Sequence, residues 1–394
     1  MLSKGIIEPA ISCKDEMLSS IFTCPKKDGS YRIILNLKQF NKWIPYQHFK
    51  MDMLKSIINL IEKDSFLASL DLKDTYYSIP VARDHQKYLR FLWWGQLFQF
   101  TCLPNGLSCC PRKFTKLMKP PMTALHRLGH ISSNYIDDPI LQGRTYTDCV
   151  HNVIDTVSQL DPLGFVIHPN KSVFIPTQVL VILGFIINTV TMTIYLTAEK
   201  ATSVQQTCRT LLERQKPSIR DVAQVTGKIV ATFPGVTHGP LLYRALEKDK
   251  LVALKENKSN FDRPMTLSES AKNELRWWVN DILSAFSWVS HPSPLLIITS
   301  DASHVGWGAT CGNTSTRGTW STKETQCHVN CLELLAAFFV LKIFAKNSTD
   351  EHVRLMIDNT TAVCVINHMG ISHSLMSWTH QGNLRMVYTT GHLD

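Results

Sequence analysis

The residues with the clearest chemical purpose are Asp137 and Asp138, adjacent carboxylates in the run Asn134-Tyr135-Ile136-Asp137-Asp138, which follows an apolar, β-prone stretch and precedes Pro139, Ile140 and Leu141. Side chains alternate along a strand, so neighbouring acids serve one site only where a tight turn re-aims them, and the run reads as a hairpin tip. Two carboxylates about 4 Å apart repel by roughly 4 kcal/mol at an effective dielectric of 20, which beside apolar strands calls for a compensating cation. Mg²⁺ suits the task, being a hard ion that takes oxygen ligands and shares them with phosphate. For the dipeptide alone a solvated Asp-Asp turn is the better reading. A second acidic strand end changes the balance: residues 66–70 form a short apolar run ending at Asp71, followed by Leu72, Lys73, Asp74, Thr75, Tyr76 and Tyr77. Three carboxylates from two strands suit a two-metal site for phosphoryl transfer.

Another set of acids lies far downstream. Residues 295–300 are an apolar strand leading to Asp301, residues 330–346 a helix with Glu333 in its first turn among Leu and Ala, and residues 353–357 a strand leading to Asp358, before a helix over 360–368. Each acid alone reads as a strand-end or helix N-terminal charge. Strand-Asp, helix-Glu, strand-Asp in that order is a pattern that single charges do not make.

The elements that must position these acids follow from periodicity and punctuation. Residues 21–24 and 31–37 flank an Asp28-Gly29 turn and read as a hairpin. Helical spacing marks 49–60, 111–128, 148–160 and 267–283, with Ser218-Ile219-Arg220-Asp221 as a further helix start; residues 183–187 and 192–196 read as strands of a hairpin. Of the adjacent Trp277 and Trp278, one should be core and one partly exposed. His291-Pro292-Ser293-Pro294 is a short stiff linker.

With 394 residues and 44% hydrophobic content the chain has material for two or three cored domains. The 41 Lys and Arg outnumber the 32 Asp and Glu, giving a net charge of +9 that suits a polyanionic partner. Eleven Cys are scattered without a Cys-x-x-Cys pair or a signal peptide, which points to reduced thiols in packed interiors and an intracellular, cytoplasmic or nuclear setting. Cys327, His328 and Cys331 fit no zinc spacing. No apolar run approaches the roughly 18 residues of a membrane span, so no membrane association is expected.

Residues 69–80, the run Leu103-Pro104-Asn105-Gly106-Leu107-Ser108 and the run from Tyr135 to Asp138 stand in the order and spacing of reverse transcriptases, and the chain resembles that family from about Gly5 into the 360s. Stretches 22–29, 34–38 and 112–116 resemble the polymerases of DIRS-type retrotransposons most. The resemblance implies an α+β and α/β architecture. Residues 1–205 would be the fingers and palm of a right-hand polymerase, 206–290 a helical thumb and connection, and 294–394 a ribonuclease H-like mixed-sheet domain, C-terminally incomplete. Asp71, Asp137 and Asp138 would then hold two Mg²⁺ ions for templated DNA synthesis from deoxynucleoside triphosphates on an RNA or DNA primer-template. Lys27 and Arg32 would meet the triphosphate, as a point charge and a planar fork. Tyr76 would touch the nucleotide sugar and help reject ribonucleotides, and residues 183–187 with 192–196 would be the primer grip. Asn105 would lie beside template and nucleotide, able to hydrogen bond where DIRS-type enzymes place a Phe that only packs; Thr75 stands where the family usually has Ala.

By the same resemblance Asp301, Glu333 and Asp358 would hold Mg²⁺ and direct hydrolysis of the RNA strand of an RNA:DNA hybrid. The family's fourth carboxylate and mobile His have no good match in residues 374–394, so hybrid cleavage is expected to be slower than DNA synthesis, with Mn²⁺ as a possible substitute ion. The rival reading is a decayed element copy that folds and binds nucleic acid but catalyses little; Thr75, Asn105, Pro139 and the tail point that way, and the intact acids point against it.

Overall fold

The apolar runs that end in acids become paired strands in the computed structural model, which describes residues 1–25, 29, 31–290, 293–346, 352–367 and 369. The chain divides into two units: residues 1–183 with 187–191, and residues 184–186 with 192 onward.

The first unit runs through β1 (Ile7–Pro9), β2 (Ile21–Pro25), β3 (Tyr31–Leu35), α1 (Leu54–Ile58), β4 (Phe66–Ser69), β5 (Leu72–Lys73), α2 (Arg83–Gln86), β6 (Arg90–Trp93), β7 (Gln96–Phe100), α3 (Cys110–Arg127), β8 (Ile131–Tyr135), β9 (Asp138–Gly143), α4 (Tyr146–Leu160), β10 (Val166–Ile167), β11 (Val173–Thr177) and β12 (Val179–Ile182). Its central sheet has the order β11-β4-β9-β8. Helices α3 and α4 pack on that sheet through apolar residues at helical spacing, Phe114, Met118, Met122 and Leu125 on α3 and Cys149, Val153 and Leu160 on α4. Gly143 is required where α4 begins, because a Cβ there would sit 2.2 Å from the Cys149 backbone nitrogen. A capping box between Thr145 and Asp148 starts α4, two residues before the helix the sequence marks. Strands β2 and β3 pair antiparallel as the Asp-Gly signal predicts, and the tip carrying Lys27 and Asp28 lies outside the described residues.

The helix expected over 49–60 is a correction: only Leu54–Ile58 is helical, and of these only Ile57 is buried. The Asp52 carboxylate accepts hydrogen bonds from Ser133 Oγ (2.9 Å) and from the Asn134 backbone N–H (3.2 Å), both on edge strand β8, and Met53 is held extended at φ −109° and ψ 162°. These bonds accompany an extended approach to the helix, which therefore starts only at Leu54.

Strand β13 (Phe185–Asn188) carries the crossing between units. In the second unit β14 (Thr193–Leu196) pairs antiparallel with β15 (Phe286–Trp288). Between them in sequence lie α5 (Ala198–Glu213), α6 (Ile219–Val230), α7 (Arg244–Glu256) and α8 (Glu269–Asn280), packed on one another. Ser218 and Asp221 form the capping box the sequence signals. Trp278 is fully buried and donates its indole N–H to the Leu242 carbonyl at 2.6 Å, while Trp277 stays partly exposed. The remaining described elements are β16 (Leu296–Ala302), β17 (Gly306–Cys311), β18 (Thr314–Thr319), α9 (Val329–Phe344), β19 (Val353–Ile357) and α10 (Thr360–Asn367). The sheet order is β18-β17-β16-β19, mixed as expected, with β16 and β19 parallel and the other pairs antiparallel. Helix α9 covers this sheet, joining Ile298, Leu355 and Ile357 to Leu334, Ala337 and Leu341 in one core. Residues 374–394, the segment in which the resemblance implies a fourth carboxylate and a mobile His, lie outside the described residues.

Candidate active sites

Tyr135 pairs with Asp138, so Ile136 and Asp137 alone form the turn between β8 and β9. Ile136 adopts φ 57°, a left-handed conformation that a β-branched residue takes only against strain. Two things hold it there. The Asn134 amide donates to the Ile136 carbonyl at 2.8 Å, and the Ile136 side chain packs against the core around Leu72 and Phe114. This contortion re-aims Asp137 relative to Asp138.

Asp71 reaches the same place through the ladder. Strand β4 pairs with β9 up to Ser69 opposite Ile140, and beyond it the Leu70 N–H donates to the Pro139 carbonyl and the Leu72 N–H to the Asp137 carbonyl, both at 2.9 Å. Asp71 therefore sits across from Asp138. Burial pushes the Asp137 carboxyl above its ordinary value and the Asp71 charge adds to this, while the Thr75 hydroxyl and the Arg32 guanidinium pull it back. The Asp138 carboxyl is raised to about 7, first by burial, then by the charges of Asp137 and Asp71, with Lys171 opposing.

The surroundings match the predicted contacts unevenly. The Arg32 charge also bears on Tyr76 and Tyr77, in each case opposing the rise that burial gives the hydroxyl. Tyr76 stands edge-on to Phe114, with its hydroxyl pushed up to about 12 by burial and the Asp137 charge. Asn105 uses its amide inward, donating to Tyr77 Oη at 2.9 Å and to the Ile33 carbonyl at 3.3 Å, so it ties its turn to strand β3. Gly106 next to it has φ 110°, and a Cβ there would meet the Leu35 carbonyl oxygen at 2.1 Å. Thr75 is buried and donates to the Leu72 carbonyl at 2.9 Å, with Asp137 Oδ2 farther away at 3.5 Å.

The turn over residues 168–172, between β10 and β11, escaped the sequence reading. It grips Asp71 through the backbone: the Asp71 N–H donates to Ser172 Oγ at 3.0 Å, and the His168 N–H donates to the Asp71 carbonyl at 2.8 Å. Lys171 adds a positive charge that acts against the rise of the Asp138 carboxyl. A Pro-Asn turn followed by Lys and Ser is common on protein surfaces, so only the pairing of β10 with β5 and β11 with β4 gives it meaning.

In the second unit the acids converge more tightly. Asp301 stands on β16 one residue beyond the Ser300–Ile357 pair, and Asp358 follows the last residue of β19 at the same level, so both lie near the carboxyl ends of neighbouring parallel strands. Glu333 arrives from the first turns of α9. One oxygen from each of Asp301, Glu333 and Asp358 lies within 4.8 Å of the others. Among the described residues no such group includes Asp71, Asp137 or Asp138. Glu333 is only 3% exposed, its Oε2 has no hydrogen-bond partner, and burial together with the charges of Asp358 and Asp301 raises its carboxyl to about 7. An all-carboxylate donor set with an orphaned buried oxygen fits a hard divalent cation. His328, between Cys327 and Cys331, caps α9, accepting the Asn330 N–H at 3.2 Å.

Residues 24–187 match the family model for reverse transcriptase (RNA-dependent DNA polymerase). The chain is 24% identical over 155 residues to the Transposon Tf2-3 polyprotein of Schizosaccharomyces pombe, covering 39% of this chain and 12% of that polyprotein. It is 28% identical over 181 residues to the Gag-Pol polyprotein of Rous sarcoma virus subgroup C, covering 43% and 11%. The chain thus spans a small part of the relatives it matches. Among solved structures, the foamy viral protease-reverse transcriptase in complex with dsDNA superposes with a TM-score of 0.64 at 15% identity, covering 100% of this chain and 81% of that one. The same enzyme in complex with an RNA/DNA hybrid gives 0.62 at 16% identity, covering 90% and 46%. At such identities the likeness carries the fold, a right-hand polymerase of mixed α and β content.

Proposed function

We propose that this chain, whose residues 24–187 form a reverse transcriptase domain of the retroelement kind, is a DIRS-like polymerase with a fused ribonuclease H. The observation that carries the reading is the strained turn that sets Asp137 and Asp138 against Asp71 inside that matched span. Residues 1–205 act as fingers and palm, 206–290 as thumb and connection, and 294–394 as the ribonuclease H-like part. The substrates are a primer-template, deoxynucleoside triphosphates and an RNA:DNA hybrid, which sets its work inside the cell.

Mg²⁺ is the ion of choice for both clusters, and when bound it supplies Lewis acidity toward phosphate oxygens. The chain's own residues do the rest. Asp71, Asp137 and Asp138 would hold the cation at one point, so that its charge offsets theirs and the reacting phosphate is not repelled. Arg32 and Lys27 offset the charge of the triphosphate, and Tyr76, wedged against Phe114, limits the space beside the sugar. Asp301, Glu333 and Asp358 make the second oxygen-lined site for hydrolysis.

The test is primer extension with the purified chain in Mg²⁺, together with cleavage of a labelled hybrid. Extension by the native chain and none by Asp137→Asn supports the polymerase assignment. A native chain that binds primer-template yet adds no nucleotide in either Mg²⁺ or Mn²⁺ refutes it.

A further inference from the structure

Helix α3 carries Arg112, Lys113, Lys116, Lys119 and Arg127 and no Asp or Glu over its 18 residues. With Phe114, Met118, Met122 and Leu125 buried, four of those cations turn to the opposite side and are exposed. At about 100° per residue, Lys113, Lys116, Lys119 and Arg127 fall within an arc of roughly 120°. Lys116, Lys119 and Arg127, with Pro120, Thr123 and Ala124, line an open concavity of about 500 Å³. Some cations elsewhere on the surface are paired with acids, as in Arg144 with Glu62, Arg220 with Asp262 and Arg276 with Glu269. Among the described residues none of the four on α3 has an ion-pair or hydrogen-bond partner for its side chain. Soluble surfaces normally intersperse the two signs, so a single-sign face around a concavity is a field aimed at an anion.

We infer that this face of α3 is a second nucleic-acid contact, holding a phosphate backbone away from the Asp71, Asp137 and Asp138 cluster. The length and chemistry fit. From Lys116 to Arg127 the helix rises roughly 16 Å at 1.5 Å per residue, against 3.4 Å per phosphate along one duplex strand, which is room for about four or five phosphates. Arg127 offers a fork, the lysines offer mobile point charges, and the exposed Thr123 hydroxyl adds a donor. The helix begins beside the polymerase acids, since Phe114 meets Tyr76, and its basic face continues from there. The strand it holds is therefore a part of the primer-template beyond the reacting end. This assignment rests on the nucleic-acid reading proposed above.

The experiment compares the full chain with the triple variant Lys116→Gln, Lys119→Gln, Arg127→Gln, measuring binding of long single strands and long primer-templates across a salt series. Each lost phosphate contact removes about 0.9 from the slope of log K against log salt, so a slope shallower by about two to three is expected, with at least about tenfold weaker binding at low salt. Extension turnover on a saturating, short primer-template should be unchanged. An unaltered slope and affinity would overturn the site. Should the triple variant melt early, lysine acetylation of the native chain decides: Lys116 and Lys119 protected by bound nucleic acid supports the contact, and equal labelling with and without it overturns the contact. Protection by polyglutamate as strong as by nucleic acid of equal charge would overturn the nucleic-acid assignment. A native chain that binds no nucleic acid fails the functional reading itself, whereas native binding with an unprotected α3 fails only this inference.

Discussion

The two acid clusters are assembled by different means. Asp71, Asp137 and Asp138 are placed by main chain: a ladder that continues through Leu70 and Leu72 to Pro139 and Asp137, a left-handed residue at Ile136, and a turn whose Ser172 receives the Asp71 N–H. Asp301, Glu333 and Asp358 are placed by docking: two parallel strand ends and a helix laid over them, joined by a side-chain bond from Asn359 to Asn330 at 3.0 Å. The first cluster is half-buried and shares its surroundings with Lys171 and Arg32; the second buries Glu333 with an orphaned oxygen. A cluster built on backbone keeps its geometry whether or not a cation is present. A docked cluster that concentrates charge in a core depends on a cation for its stability as well as its chemistry.

The largest effects should come from separating the two chemistries. Asp137→Asn should lower primer extension by about a thousandfold or more while leaving hybrid cleavage within a few-fold, and Glu333→Gln should do the reverse, because each removes a charge from only one oxygen-lined site. Both activities are read on both variants. Loss of both activities in either variant would mean that the clusters do not act independently.

Next in size is the response of stability to metal. Saturating Mg²⁺ at about 100 times its dissociation constant stabilises a one-site fold by roughly 2.7 kcal/mol. If the docked cluster is the one that depends on its cation, Glu333→Gln should abolish most of the rise in melting temperature that Mg²⁺ gives. Asp137→Asn should lose a smaller share of it. Calorimetry with and without a chelator measures both, and equal loss in the two variants would erase the distinction between backbone-built and docked acids.

The pH dependence is smaller, and its sign follows from the raised carboxyls. Asp138 rises from 3.8 to about 7 and Glu333 from 4.5 to about 7 on folding. The folded chain therefore holds protons that the unfolded chain has released, and the stability these groups allow is full below about pH 4 and is lost as pH rises through about 7. In a chelator, melting temperature should fall across that window. Glu333→Gln should flatten the fall and leave the variant more stable than the native chain above about pH 7, by on the order of 1 kcal/mol or a few degrees. A melting temperature that climbs with pH in the metal-free chain would contradict the burial of these acids.

The sequence made the first cluster legible because its placement is local. Alternation around residues 131–143 and the strand before Asp71 were enough to bring the acids to one hairpin and its neighbour. What no pattern revealed was Ile136 in a conformation usually given to Gly, or the residue 168–172 turn, whose meaning depends on strand pairing across about a hundred positions. Residues 49–60 show the opposite failure: the helical spacing was real, but only Leu54–Ile58 is helical, and Asp52 before it bonds to β8. The second cluster was legible as an order of elements, but not the burial of Glu333, which depends on how α9 docks. Strand ends are written in the chain; the depth of a side chain under a neighbouring element is not.

The smallest predicted effects test how each cluster is braced. Asn359 has two tasks, since its Oδ1 accepts the Ala362 N–H at 2.9 Å at the start of α10 and its Nδ2 donates to Asn330 on α9, three residues before Glu333. Asn359→Ala removes a helix cap and the tie between the Asp358 strand end and the Glu333 helix, and about 1 kcal/mol of stability should go with it. Metal affinity should drop several-fold, as for other groups that orient ligands without touching the ion. Thr75→Ala is the matched change in the first cluster. The Thr75 hydroxyl has one proton, directed to the Leu72 carbonyl at 2.9 Å, which leaves Asp137 Oδ2 at 3.5 Å with little of it. Asp137 is already fixed by its own carbonyl on the ladder, so extension should change by less than about threefold and stability by about 1 kcal/mol or less. If Thr75→Ala instead lowers extension more than Asn359→Ala lowers hybrid cleavage, the hydroxyl is positioning Asp137 after all, and the first cluster is no more backbone-built than the second.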